Sequence, residues 1–146
     1  MMYKTKVSQV TAILVNIMFY GGIIACILTP WGTKLYPFKG KEYIIQTCTI
    51  LLSGVASVYI MFELKHIFKT ITSDNPFVME NAFALRKIAV ASFIIAAVYV
   101  IKAFLLFTPA TFVIIVIFIT AGLFCLTLMS VFTKAVEFKE ENSLTI

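Results

Sequence analysis

The chain has 146 residues, 61% of them hydrophobic and only 13% charged, with a mean hydropathy of +1.00. A water-soluble domain of this length leaves too much surface exposed to hide that apolar area, so the composition points to a chain whose outer face is solvated by lipid. The net charge of +5 does not indicate nucleic acid, because no run of five or more basic residues occurs and Lys and Arg commonly flank membrane helices.

Four apolar runs follow one another along the chain, at about residues 7–28, 43–64, 88–107 and 111–132. Each has about 20 residues, which at 1.5 Å rise spans a hydrocarbon layer of ~30 Å. None has the period-two alternation of a lipid-facing strand. The predicted fold is an all-α integral membrane protein, a single domain over residues 1–146 with four transmembrane helices in an antiparallel bundle.

The first run follows Lys4 and Lys6 and superficially resembles a signal peptide. It is long for a signal core, and it is expected to remain as a membrane helix. It contains Asn16, expected to hydrogen-bond across helices or, less simply, to line a substrate path. The loop before the second run carries Lys34, Lys39 and Lys41, with Trp31, Tyr36 and Tyr43 suited to headgroup level. Beyond the second run, Ile60, Leu64, Ile67, Phe68 and Ile71 recur at helical spacing opposite Lys65 and Lys69, so the helix should continue to about Thr70. His66 and Glu63 lie one turn apart there and read as an interfacial pair, since two ligands make no metal site.

Ser73-Asp74-Asn75-Pro76 then reads as a turn closing a cytoplasmic helical hairpin over about residues 65–87. Asn75 suits an N-cap and Pro76 a first helical position. In the third run, Lys102 lies five residues from the outer end, within snorkelling reach of the headgroups. The competing reading groups Lys102 with Tyr99, Gln46 and Asn16 as an intramembrane polar site for an anion or lipid headgroup. After the fourth run, Phe132, Ala135 and Val136 prolong a weaker apolar stripe into a cytoplasmic tail, residues 133–146. Helices two, three and four are therefore expected to extend into the cytoplasm.

Eight basic residues fall on the side of the termini and of residues 65–87, against three on the other. The positive-inside rule puts both termini in the cytoplasm of a multi-pass cell-membrane protein. Cys26, Cys48 and Cys125 sit inside apolar runs without a CxxC or Cys/His cluster and read as small hydrophobes. No triad, phosphate loop or dinucleotide fingerprint can be assembled, so neither an enzyme nor a cofactor or metal is expected. Small residues four apart, Gly21 with Ala25, Ser53 with Ser57 and Ser92 with Ala96, read as close helix packing and also suit an oligomer.

Two segments carry a family resemblance. Phe77, Glu80, Asn81, Leu85, Arg86 and Ile88 match a Phe-x-x-Glu-Asn-x-x-x-Leu-Arg-x-Ile pattern, and Lys139, Glu141, Asn142, Leu144, Thr145 and Ile146 match a Lys-x-Glu-Asn-Asp-Leu-Thr-Ile-like tail. Both resemble domain of unknown function 2975, a family of small bacterial four-helix membrane proteins. Ser143 departs from the family's Asp, and Phe107-Thr108-Pro109-Ala110 replaces its acidic loop. The family's genes often neighbour one for a small helix-turn-helix transcriptional regulator. The resemblance therefore implies such a regulator as a partner at the cytoplasmic face, contacting Phe77, Glu80, Asn81, Arg86, Lys87, Glu140, Glu141 and Asn142. The plainer reading of the same groups is structural, with Glu80 paired to Lys87 and the tail folded on helix three. A small transporter or lipid- or peptide-binding protein with an outward-facing polar pocket is the alternative function.

Overall fold

The computed structural model describes residues 2–35, 39–72 and 77–144. These residues form α1 (Met2–Gly32), α2 (Lys41–Thr72), α3 (Met79–Leu105) and α4 (Pro109–Leu144), with a short 3-10 turn, Thr33–Leu35, closing α1. Each helix contains a span long and apolar enough to cross a membrane. The helices also outrun the lipid-length segments: α2 has 32 residues and α4 has 36. Helix formation thus continues past the apolar runs into the charged stretches that follow them.

Neighbouring helices are antiparallel. Gly22 faces Val58 and Gly54 faces Cys26, joining α1 to α2. Ser53 meets Tyr99 while Thr70 meets Asn81, joining α2 to α3. Gly122 faces Phe93 and Phe132 faces Phe77, joining α4 to α3 and its approach. The start of α1, the end of α2, the start of α3 and the last turns of α4 therefore share one end, which carries most of the basic residues. Packing follows chain order, and among the described residues α1 approaches only α2 closely and α4 only α3. The four helices form an open antiparallel array that α1 and α4 do not close.

Within that array α3 is the enclosed element: 39% of its most apolar window is buried, against 6% for α1 and for α4. Its Ala84, Leu85, Ile88, Ala91 and Ile95 form the core with Ile60 and Ile67 of α2, and Phe118, Leu128 and Phe132 of α4 pack against it. The outward faces are apolar as well, with Val10, Ile17, Val55, Val113 and Phe124 exposed. A helix apolar on every side fits lipid rather than water, and these are the features of a membrane protein.

The ends of the elements refine the sequence-based boundaries. α2 reaches Thr72, and the last apolar stripe is indeed helical, to Leu144. α3 starts at Met79 rather than near Pro76, because Val78 is extended (φ −121°, ψ 151°) and serves as the N-cap. Asn75, Pro76, the Ser73-Asp74 turn, Tyr36 and the last tail residues Thr145 and Ile146 lie outside the described residues. Gly40 precedes α2 with φ +62°, a left-handed conformation that glycine adopts without steric cost. Gly21, expected at a close contact, faces open space, and the neighbouring Gly22 makes that contact instead.

Candidate functional site

Polar side chains concentrate at the two ends of the α2–α3 pair. At the basic end, side-chain links cross from α2 to α3. Glu63 pairs with Lys87 at 3.8 Å and His66 with Glu80 at 3.7 Å. The Asn81 amide donates to Thr70 Oγ1 at 2.7 Å, and that hydroxyl donates in turn to the Ile67 carbonyl. The expected pairing of Glu80 with Lys87 within one helix is thus replaced by pairing between helices. Seven residues along a helix separate those two groups by about 10 Å, whereas Glu63 and His66 lie directly across from their partners.

Burial divides these groups. The Glu63 side chain is only 8% exposed, against 56% for Lys87. Asn81 is fully enclosed, so it holds the start of α3 against the end of α2 and offers no side chain to a partner. Phe77, Glu80, Arg86 and Lys87 are exposed. Arg86 makes no ion pair or side-chain hydrogen bond among the described residues. Lys65 lies over the Phe19 and Tyr20 rings of α1, at 4.7 and 5.2 Å from their centroids, a cation–π contact that ties α1 to this end.

Past the buried Val136, Glu137 to Asn142 are all exposed, and Phe138 shows 65% of its surface. Glu140, Glu141 and Asn142 therefore stand on helix that runs beyond the start of α3. Phe77 packs back on this helix, its ring 5.6 Å from that of Phe132.

At the opposite end, Lys102 is buried, not extended towards headgroups. Its ammonium donates to Thr111 Oγ1 at 2.9 Å and to Thr108 Oγ1 at 3.2 Å, and the two hydroxyls lie 2.7 Å apart. Lys102 is 4% exposed and Thr111 1%. The two threonines escaped the sequence reading, although Thr-Pro with a Thr three residues on is a helix-start signal. The Thr111 N–H closes that start on the Thr108 carbonyl at 3.0 Å.

The other candidates for an intramembrane site are dispersed. The Tyr99 hydroxyl lies 3.3 Å from Ser53 Oγ. Gln46 Oε1 is buried without a hydrogen-bond partner. Asn16 is half-buried on α1, which does not approach α3. Asn16 and Lys102 are therefore not brought together. Cys26, Cys48 and Cys125 are free thiols, and among the described residues no three His, Cys, Asp or Glu side chains gather as a metal site would need.

The model of one protein family, described as Protein of unknown function (DUF2975), matches residues 33–146. No curated protein and no solved structure matches the chain.

Proposed function

The chain belongs to this family of proteins of unknown function, and from that premise we propose that it is a regulatory membrane protein that acts by binding, not catalysis. Its basic end faces the cytoplasm and docks a small helix-turn-helix regulator, holding it at the membrane. The observation that carries this reading is the helical extension of α4: Phe138 stands exposed among Glu137, Lys139, Glu140 and Glu141, six residues beyond the Phe132 against which the exposed Phe77 packs. A large apolar side chain ringed by charge on a projecting helix is the composition of a binding anchor. The acidic groups would meet the basic surface that a DNA-binding protein presents.

Co-purification of the regulator from membranes tests this. Phe138→Ala and Glu141→Lys should each reduce recovery about tenfold, an effect of about 1.4 kcal/mol, while leaving the amount of membrane-inserted chain unchanged. Recovery equal to wild type in both variants would refute the docking face.

The second reading, a small transporter or lipid- or peptide-binding protein, is favoured by the enclosed Lys102, whose charge, among the described residues, meets only hydroxyl groups. It predicts that Lys102→Ala abolishes export or resistance in cells, with the chain still inserted. Undiminished activity would dispose of it.

A further inference from the structure

Between α2 and α3 runs a groove of about 830 Å³ lined, among the described residues, by side chains of those two helices. Its walls are apolar, with Leu52 and Val55 on one side and Val90 and Ile94 on the other, and Arg86 and Lys87 stand at one end. We propose that this groove binds an anionic phospholipid, with an acyl chain against Val55 and Val90 and the phosphate at Arg86. The proposal rests on the bilayer-spanning reading of the helices and is independent of regulator docking.

Length, charge and competition favour that occupant. From Arg86 to Ile94 the helix rises about 12 Å, close to one leaflet of a hydrocarbon layer of ~30 Å. Arg86 and Lys87 lie where the third apolar run begins, at the depth of headgroups. Lys87 shares its charge with Glu63 at 3.8 Å, whereas Arg86 has no partner among the described residues. A guanidinium is a bidentate donor to phosphate, so the groove ends in an unmatched cation of suitable geometry. A helix from a second copy of this chain could fill the apolar part, but the one acid in its lipid-length runs, Glu63 at the inner end of the second, is already turned to Lys87 and is not offered to Arg86.

The full-length chain, reconstituted in vesicles of equal phosphatidylglycerol and phosphatidylcholine and then extracted in mild detergent, provides the test by counting retained lipids. Phosphatidylglycerol should be enriched about fivefold, the scale expected of one basic group at an anionic surface. Arg86→Gln should abolish the enrichment, and Val90→Trp, which fills the groove from an exposed position, should reduce retention of both lipids. Glu63→Gln, which releases Lys87, should raise the enrichment. Equal retention of the two lipids, or enrichment that survives Arg86→Gln, overturns the proposal. So does a Val90→Trp chain that changes from dimer to monomer with lipid retention unaltered, because a second copy would then be the occupant.

Discussion

Lys102 shows how a single charge is accommodated inside this chain. Three N–H donors need acceptors, and the turn into α4 supplies two, the hydroxyls of Thr108 and Thr111. Removing an acceptor and removing the cation have different consequences. Thr111→Val leaves a buried ammonium short of a partner, which costs about 1–3 kcal/mol and more where charge is involved. Lys102→Met keeps the stem, deletes the charge and leaves the two hydroxyls bonded to each other, so it should be near neutral or stabilising. Thermal unfolding in detergent should therefore rank Thr111→Val below Lys102→Met, and the reverse order would mean that the lysine meets an anion at this end. Asn81 illustrates the same economy at the basic end, since its amide is spent on Thr70. Nothing in the spacing of Phe77, Glu80, Asn81 and Arg86 announced that one member would be enclosed and the others exposed. That separation depends on where α2 lies, which one helix's sequence does not contain.

The helices meet where side chains are missing. A Cβ on Gly54 would lie 2.7 Å from Cys26 Sγ, and one on Gly122 would lie 2.7 Å from the Phe93 ring. With lipid as apolar as the helices themselves, such close approach supplies much of the association energy. Gly122→Val should push α4 off α3 and lower stability by about 1–3 kcal/mol, the usual penalty for overpacking. Gly21→Val, on a face with nothing within 4 Å, should have little effect, and equal melting of the two variants would contradict the α3–α4 contact. The apolar runs and their helical continuations were legible because periodicity and length are properties of one segment. Which glycine makes a contact was not legible, since Gly21 and Gly22 differ by about 100° around the same helix and only the position of α2 selects between them. The start of α3 at Met79 was equally hidden, because the extended Val78 follows a Pro76 that by itself favours an earlier helix.

For the whole molecule, the open array gives the two ends different characters, and charge decides which faces the cell interior. Residues at the end shared by the termini and the α2–α3 connection include Lys65, Lys69, Arg86, Lys87 and Lys139, whereas Lys34, Lys39 and Lys41 lie at the other. Translocating the richer end would be the costlier choice under the positive-inside rule. Both Lys34 and Lys139 are exposed on described helical segments, so each can carry a probe without disturbing the core. In a cysteine-free background, Lys34→Cys should react with a membrane-impermeant maleimide added to intact cells, while Lys139→Cys should react only after the membrane is opened. The reverse pattern would turn the basic end outward and remove both the intracellular docking face and an inner-leaflet lipid at Arg86. Labelling of both sites from outside would mean an even number of crossings between them, so that one of the three helices after Lys34 fails to span the bilayer.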